Sequence, residues 1–372
     1  MTLLDEIDRE SRATLERYGF VEEAFLALQA RVASGSLSSA SNAVTEEVTP
    51  PRPRDIERLP ERGGSRDARA RAAGLAALGS GKVAAVVLTG GMATRFGGVV
   101  KGTVEVLDGR SFLELKLAQT AEIATALGTE IPTALMTSFA TDDSVREFMA
   151  ARDLPEPLYF AQYVSLRLDP DGSLFREDDG RVSLYSPGHG DFLDAFARSG
   201  TLERLRSRGV RTVMVSNVDN LGARIDPSVI GMHLLGGRPV TAEVARKAGG
   251  ADVGGAPARV GGRLMLLEGP RFPPGFDHRR LSVFNVNTLT FDLDVLERAY
   301  DLTWLYLVKT VGGRPAVQLE HLFHEITAFV PTTYLEVPRT GRHGRFVPVK
   351  TPEDLEAARD PLRELLETSP LE

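Results

Sequence analysis

The spacing of apolar and polar residues changes character near residue 83 of the chain. Residues 1–31 carry apolar side chains at helical spacing, and the Ser-, Pro- and charge-rich stretch that follows predicts an irregular connection. A second helical pattern, RDARARAAGLAALGSG, leads to Lys82. From residue 83 onward, short apolar runs alternate with helical patterns, and this alternation predicts a largely parallel sheet covered by helices.

The first predicted strand of this part, VAAVVLTGG, has no polar face, which is typical of a strand buried on both sides. Further strands are predicted at IPTALMTS, PLYFAQ and VRTVMVSNVDN. Capping residues mark the helices between them. The first predicted helix opens at Ser111, with Glu114 as its capping-box partner and Gly128 past its end. The second runs from Asp142 to Ala151. The third covers FLDAFARSGTLERLRSR with Asp191 as its cap, and the fourth follows Asp226-Pro227 and ends at Gly236.

The pattern after residue 238 is richer in β-structure. RPVTAEVARK and LSVFNVNTLTFDL predict strands, and ARVGGRLMLLEG predicts a hairpin that turns at Gly261-Gly262. AVQLEHLFHEITAF predicts a return to helix, and a final helix is predicted to start at Thr351-Pro352.

Composition excludes several classes of protein. The 372 residues include no cysteine, which rules out disulfides and Cys-ligated zinc. A net charge of −7 argues against a nucleic-acid-binding protein, because such proteins need a basic surface. The chain has no run of 18 apolar residues and its N-terminus is charged, so we expect neither a signal peptide nor a membrane partner, and we expect a cytoplasmic location.

The stretch LTGGMATRFGGVVKG is a candidate phosphate-binding loop. It follows a buried strand, and open α/β sheets bind ligands at the carboxyl ends of their strands. Gly90 and Gly91 allow a phosphate to approach backbone N–H groups, Thr94 offers a hydroxyl, and Arg95 and Lys101 offer positive charge.

The spacing in this loop excludes two familiar alternatives. A dinucleotide fingerprint needs G-x-G-x-x-G at the start of a helix, whereas here the glycines are adjacent and the helix begins near Ser111. A P-loop needs G-x-x-x-x-G-K-[ST], whereas Lys101 lies ten residues after Gly91 and precedes Gly102. From this stretch alone, the loop can be either a phosphate-binding loop of another type or a glycine-rich turn with charged surface residues.

Four further segments make a resemblance specific. LTGGMATRFGGVVKG resembles the signature loop of the UDP-sugar pyrophosphorylase family, and SPGHGDFLDAF, VSNVDNLGARIDP, VFNVNTLTFDL and RFVPVKTPEDL resemble, in the family's order, segments of its glucose-type members. The resemblance covers roughly residues 83–355. It implies an α/β fold with a Rossmann-like, GT-A-like nucleotidyltransferase core and a mixed, mostly parallel sheet. We expect an N-terminal helical extension and linker (1–80), a catalytic domain (81–335) and a short C-terminal segment (336–372).

The resemblance implies a reaction between UTP and a sugar 1-phosphate that gives a UDP-sugar and pyrophosphate, with Mg²⁺ as cofactor. A phosphate oxygen attacks the α-phosphorus in line, without a covalent intermediate. Glucose 1-phosphate is the favoured substrate, since PGHGD and SNVDNLG resemble the glucose-type enzymes. The arginine in GGMATRFG keeps a UDP-N-acetylhexosamine or broad-specificity enzyme as the alternative, and a non-catalytic UDP-sugar-binding protein is the alternative from another class.

The resemblance also implies roles for individual residues, by group. The implied catalytic residues are Lys101, Arg95 and Lys350, with Lys247 and Lys309 as alternatives for holding the sugar phosphate, and the implied metal ligand is Asp219. The implied nucleotide-binding residues are Leu88, Gly90, Gly91, Thr94, Gln162, Gly188, His189 and Asn217. The implied sugar-binding residues are Asn220, Glu243, Gly255 and Asn287. We interpret His321 and His324, which share a face of the predicted helix, as solvated surface residues.

Two departures from the family accompany these expectations. Relatives usually have glycine where this chain has Ala93, so a positive φ at that position would cost about 1 kcal/mol of strain. Glucose-type relatives also continue past the Val-Pro-Val-Lys segment into a β-helical domain that carries oligomer contacts, whereas little chain follows Lys350 here. We therefore expect a monomer or a small homo-oligomer.

Overall fold

The computed structural model describes residues 3–93, 96–249, 252 and 254–371. Its α-helices are α1 (Arg9–Arg17), α2 (Glu22–Ala33), α3 (Ser65–Gly79), α4 (Phe112–Leu127), α5 (Asp142–Ala151), α6 (Phe192–Arg198), α7 (Thr201–Ser207), α8 (Pro227–Gly236) and α9 (Pro352–Glu367). Its strands are β1 (Val48–Thr49), β2 (Ile56–Arg58), β3 (Val83–Leu88), β4 (Met92–Ala93), β5 (Val99–Val100), β6 (Glu105–Leu107), β7 (Arg110–Ser111), β8 (Thr133–Thr137), β9 (Leu158–Ala161), β10 (Ser165–Leu166), β11 (Leu184–Tyr185), β12 (Thr212–Asn217), β13 (Val240–Arg246), β14 (Ala256–Val260), β15 (Arg263–Leu267), β16 (Val283–Asp292), β17 (Leu305–Val311), β18 (Arg314–Glu320) and β19 (Thr332–Glu336).

A mixed, mostly parallel sheet forms the centre of the fold. In the described chain it has eight strands in the order β2-β19-β13-β16-β12-β3-β8-β9. β16 pairs antiparallel with both of its neighbours, and the other neighbouring pairs are parallel. The expected α/β fold with a mixed, mostly parallel sheet is therefore confirmed.

Helices cover both faces of the sheet, which is why β3 is apolar throughout. Ala84, Val86 and Leu88 pack on one face with the aromatic and leucine side chains of α6 and α7. Val83 and Ala85 point to the other face, where they meet residues of α3, α4 and α8. All six residues of β3 are buried as a result, and the strand ends at the edge of the sheet from which the signature loop leaves.

The predicted helix caps at Ser111, Asp226 and Thr351 are present in the structure. The Ser111 hydroxyl accepts from the Glu114 N–H, the Glu114 carboxylate accepts from the Ser111 N–H, and Gly128 ends α4 with a φ of 61°. The Asp226 carboxylate accepts from two N–H groups in the first turn of α8. Thr351 caps α9 in the same reciprocal way as Ser111 caps α4.

The N-terminal region differs from the expectation in two places. The helical pattern over residues 1–31 is two helices, because the chain turns at Gly19 with a φ of 70°, and a Cβ there would lie 2.9 Å from the Tyr163 ring. The stretch expected to be irregular contributes β2, which pairs with β19 at the edge of the central sheet, and β1, which pairs with β14. Short pairings of this kind leave little apolar periodicity in the sequence.

Two further expectations about helices are wrong. In the helix predicted over residues 316–329, residues 316–320 belong instead to β18, since pairing with β17 and a bridge to Leu168 bury Val317 and Leu319. Their apolar spacing suits a helix equally well, so a tertiary partner decides the outcome. The later residues Phe323–Ala328 are helical, as a short 3₁₀ helix. The helix after Asp191 is split into α6 and α7 at Gly200, which has a φ of 77°, and the Asp191 side chain does not cap it.

The hairpin of β14 and β15 turns at Gly261-Gly262 as predicted, with φ values of 55° and 83°. Ala93 pairs with Val99 between β4 and β5 and is not among the positive-φ residues of the described chain, so the strain considered for it does not arise. No helix in the part of the chain that the structure describes is long and apolar enough to cross a bilayer.

The closest contact between helices in this fold depends on glycine, and it yields a stability prediction. α3 and α8 touch through their backbones, so a Cβ on Gly231 would lie 1.7 Å from the Ala70 carbonyl oxygen. We expect Gly231→Ala to lower the free energy of unfolding by at least about 2 kcal/mol, because the helices must separate. Gly79, at the end of α3, is the matched control: its Cβ would meet nothing within 4 Å, so Gly79→Ala is expected to raise stability by about 0.5–1 kcal/mol. Equal denaturation midpoints for Gly231→Ala and the parent would contradict the close packing.

Candidate active site

A cavity of ≈ 570 Å³ lies at the carboxyl edge of the central sheet. Several parts of the chain form it: the ends of β12 and β16, the region around β14 and β15, and the segment that precedes α9. His189, β17 and the chain from the end of β18 to His324 complete the lining. Because β16 runs opposite to β12, the start of β16 reaches the edge at which β12 ends. Residues distant in sequence therefore share one wall.

An ion pair joins the signature loop to the end of β12. The Lys101 ammonium is in close contact with Asp219 Oδ2, and Asp219 lines the cavity while Lys101 lies beside it. The backbone holds both ends: the Lys101 N–H donates to the Gly91 carbonyl (3.1 Å) and the Val218 N–H to the Leu88 carbonyl (3.2 Å). The parallel pairing of Leu88 with Asn217 brings the two loops together.

Asp219 is the residue that could hold a metal ion at this end of β12. One of its oxygens faces Lys101, and the other, Oδ1, accepts no hydrogen bond from the described residues. Mg²⁺ binds one or two carboxylates and takes its other ligands from water and substrate phosphates. No cluster of three or more metal-binding side chains occurs in the described ranges.

Two asparagines bridge the strands at the cavity wall. Asn287 Nδ2 donates to Asn217 Oδ1 at 3.0 Å, and the Asn287 N–H donates to Asn285 Oδ1 at 3.0 Å. Asn287 has a φ of 55°, a conformation that costs an ordinary residue energy. Its Oδ1 is buried and has no hydrogen-bond partner in the described chain. A strained residue with an unsatisfied amide oxygen in a cavity indicates a ligand-binding position.

The Gly-His-Gly segment approaches the cavity from the other side. Gly188 has a φ of 94°, and a Cβ there would lie 2.7 Å from the His321 carbonyl oxygen, so only glycine fits. Enclosure by protein, and then the neighbouring His324 ring, lower the pKa of His189 to about 3. The neutral ring accepts the Phe323 N–H at Nδ1 (3.3 Å), which leaves the proton on Nε2 as a donor.

Gln162 and Gly90 meet at the ends of β9 and β3. Gln162 is buried, and its N–H donates to the Thr137 carbonyl at 2.9 Å. A Cβ on Gly90 would lie 2.5 Å from Gln162 Nε2, so the glycine makes space for the amide. A Cβ on Gly91 would meet nothing within 4 Å, which leaves its face open to a ligand. Thr94 and Arg95 lie outside the described residues.

Of the three lysines considered for the sugar phosphate, only Lys350 lines the cavity. It is exposed, and its N–H donates to Asp354 Oδ2 (3.0 Å) in the first turn of α9. The Lys247 ammonium donates to the His278 carbonyl at 3.0 Å, and the Lys309 ammonium lies 3.7 Å from Glu320 Oε1. The geometry therefore favours Lys350.

The side-chain polar groups of Glu243 and Asn220 are bound to other residues of the protein. The Glu243 carboxylate is fully buried and forms a two-point ion pair with Arg345, in which Nη2 and Oε1 are 2.6 Å apart. Glu243 does not line the cavity, so the geometry gives no support to the expected contact with sugar hydroxyls. Asn220 lines the cavity, but its amide holds the Arg345 carbonyl and the Val347 N–H, both at 3.0 Å.

Sequence reasoning missed Glu268 and misjudged His324, both of which line the cavity. His324 is buried, and its Nε2 lies 3.2 Å from Glu268 Oε2. Burial would raise the pKa of Glu268, but the hydrogen bond and charge of His324 outweigh it and hold the pKa below its usual range. A Cβ on Gly255 would lie 2.6 Å from Glu268 Oε2, so this predicted sugar-binding glycine makes room for the carboxylate. Glu268 follows β15 directly, and that position at a strand end is the signal that the sequence carried.

His321 also has a partner and is not a solvated surface residue. Its Nε2 lies 2.6 Å from Asp191 Oδ1, and its ring stacks on Trp304 with centroids 4.2 Å apart. The other oxygen of Asp191 accepts the Tyr163 N–H at 2.9 Å. This chain of contacts fixes the Gly-His-Gly segment against the end of β9, next to Gln162.

The fold and this site define an α/β protein with a cavity at the carboxyl edge of a mostly parallel sheet, beside a glycine loop. Residues 23–367 match the family model of UTP–glucose-1-phosphate uridylyltransferase, and the chain belongs to that family. It is 30% identical to the UTP–glucose-1-phosphate uridylyltransferase of Astragalus penduliflorus over 293 residues, which are 74% of this chain and 61% of the relative. A probable enzyme of the same name from Schizosaccharomyces pombe is 30% identical over 74% of this chain and 58% of its own length. The chain thus spans about three fifths of the curated relatives that it matches.

Solved structures show the same fold. A variant of UDP-glucose pyrophosphorylase from Leishmania major superposes with a TM-score of 0.72 at 26% identity, covering 95% of this chain and 79% of that one. The UDP-N-acetylglucosamine pyrophosphorylase of Trypanosoma brucei gives a TM-score of 0.73 at 18% identity, covering 95% of this chain and 80% of that one. The second likeness concerns the fold alone.

The contact between Gly90 and Gln162 yields a binding prediction. We expect Gly90→Ala to push the Gln162 amide aside and to weaken UTP binding about tenfold, or ~1.4 kcal/mol, measured by titration calorimetry. In a double-mutant cycle with Gln162→Ala, the two losses are expected not to add, because both remove the same amide contact. Additive losses, or undiminished UTP affinity in Gly90→Ala, would contradict the role of Gln162.

Proposed function

We propose that this protein transfers the uridylyl group of UTP to a sugar 1-phosphate and releases pyrophosphate. The observation that carries the proposal is the meeting of Lys101 and Asp219 at a cavity that Lys350 and the Asn217–Asn287 bridge also line. Cationic side chains, a carboxylate and fixed amides around one space suit a reaction between two phosphorylated substrates.

The nucleotide end of the proposed site is at the glycine loop. The open face of Gly91 gives UTP access to the backbone, Gly90 makes space for Gln162, and the buried Gln162 amide is suited to the uracil edge. Neutral His189 offers an Nε2–H to a ribose or phosphate oxygen. It is not needed as a base, because the attacking phosphate is already an anion.

The phosphate chemistry is a single displacement. The sugar phosphate oxygen attacks the α-phosphorus and pyrophosphate leaves, so the protein must hold two anions together and offset the charge that develops. Lys101 is proposed to bind the UTP phosphates and Lys350 the sugar phosphate. Asp219 is proposed to bind Mg²⁺ with its free oxygen, and a bound Mg²⁺ would neutralise phosphate charge at this position.

Glucose 1-phosphate is the proposed acceptor. The sugar is expected to lie against Gly255, with the unpartnered Asn287 Oδ1 and the Glu268 carboxylate facing its hydroxyls. Pyrophosphate release should be measured with UTP and glucose, galactose or N-acetylglucosamine 1-phosphate. Glucose 1-phosphate is expected to react fastest, and N-acetylglucosamine 1-phosphate as the best substrate would contradict the proposed specificity.

A cytoplasmic location and a monomeric or small oligomeric state stay predictions. Light scattering can test the oligomeric state.

The role of Asp219 yields a prediction on turnover. We expect Asp219→Asn to lower kcat for pyrophosphate release by about 100-fold or more, because the amide neither pairs with Lys101 nor binds a cation as a carboxylate does. Asp292→Asn, at the opposite end of β16, is the matched control and should leave kcat unchanged. Full Mg²⁺-dependent activity in Asp219→Asn would exclude the metal role. UTP binding without turnover in the parent protein would favour the non-catalytic UDP-sugar-binding alternative.

A further inference from the structure

A buried lysine holds the turn that follows Asp219. Lys116 lies in α4 and is only 4% exposed. Its ammonium donates to the Asn220 carbonyl at 2.8 Å and makes a second, shorter contact with the Ala223 carbonyl. Asp219 and Glu243, the carboxylates that act on its charge, pair instead with Lys101 and Arg345.

A charge in this position is costly to the fold. Burial, and then the neighbouring Arg345, lower the pKa of Lys116 to about 7. An apolar side chain of similar length would satisfy packing on this face of α4 without that cost. Such a side chain would not supply a hydrogen-bond donor for the Asn220 and Ala223 carbonyl groups, which point into the protein and need partners.

The turn that Lys116 holds is connected to both sides of the proposed reaction. It begins at Asp219, and the Asn220 amide ties it to the backbone of Arg345 and Val347, which leads to Lys350. The Arg345 guanidinium returns to the turn by donating to the Arg224 carbonyl at 2.9 Å. One helix therefore fixes the spacing between the ion pair and the lysine proposed for the sugar phosphate.

Gln119 adds to the same contact from the next turn of α4. Its Nε2 donates to the Leu221 carbonyl at 3.1 Å, so Lys116 and Gln119 together bind three carbonyl groups between residues 220 and 223. Neither side chain lines the cavity. An effect of Lys116 on the reaction therefore reaches the cavity through the turn or through the charge that Lys116 places near Asp219.

We propose that Lys116 is a positioning residue: by holding the Asn220 and Ala223 carbonyls it keeps Asp219 and Lys350 at the separation that the transfer requires. This inference rests on the proposed uridylyl transfer. It predicts a loss in turnover larger than any loss in UTP affinity, because the contacts proposed for the base and ribose lie on other segments.

The test compares Lys116→Met with Ile123→Val, a buried change in the same helix that removes no hydrogen bond to the turn. In pyrophosphate release with UTP and glucose 1-phosphate, we expect kcat of Lys116→Met to fall at least about tenfold while KM for UTP changes less than about threefold. Ile123→Val, which removes one buried methyl group, should retain the parent kcat. Unchanged kcat in Lys116→Met, or an equal loss in both variants, would overturn the inference.

Amide hydrogen exchange separates this inference from the proposed function, since it needs no activity. In Lys116→Met, amides of residues 219–224 and 345–350 are expected to exchange about tenfold faster than in the parent, with β3 unchanged. Unaltered exchange in both segments would overturn the inference even in an active enzyme. A parent protein without turnover would refute the proposed function, while faster exchange would still support the coupling of the two segments. If Lys116→Met does not fold, Lys116→Gln, which keeps an amide donor, is measured in the same way.

Discussion

The parallel pairing of β3 with β12 is the constraint on which the rest of the site depends. The two strands pair residue for residue from Val83 with Thr212 to Leu88 with Asn217, so they end at the same level. The loop after β3 and the turn after β12 therefore leave the sheet side by side, and Lys101 meets Asp219. Burial on both faces prevents a slip of register, because every residue of β3 is packed between helices.

A second constraint brings the C-terminal segment to this edge. The ion pair of Arg345 with Glu243 is buried, and Arg345 and Asn220 together fasten the segment to the turn after β12. Removing one partner of such a pair leaves an uncompensated charge, so the interaction fixes one arrangement more firmly than it adds stability. The cavity is thus completed by residues from far apart in the chain, held by contacts that do not touch a substrate.

The sequence predicts the fold well where a local signal decides the structure. The capping residues Ser111, Asp226 and Thr351 and the apolar strand at Val83 have local causes, and the structure bears them out. β18 fails because its apolar spacing fits helix and strand alike, and only pairing with β17 decides between them. The candidate site likewise has residues that local motifs reveal and residues that only tertiary contacts reveal. Sequence motifs brought attention to Asp219 and Asn287, whereas the burial of Glu243 by Arg345 and the place of Glu268 in the cavity depend on tertiary contacts that no motif reports.

The central claim is that the sugar phosphate attacks UTP directly, with both substrates held in the one cavity. The stereochemical course at the α-phosphorus tests this claim most directly. UTP made chiral at that atom by sulfur substitution would be converted with glucose 1-phosphate, and the configuration of the UDP-sugar would be determined by phosphorus NMR. A single in-line displacement predicts inversion. Retention would require a covalent intermediate and would contradict the account.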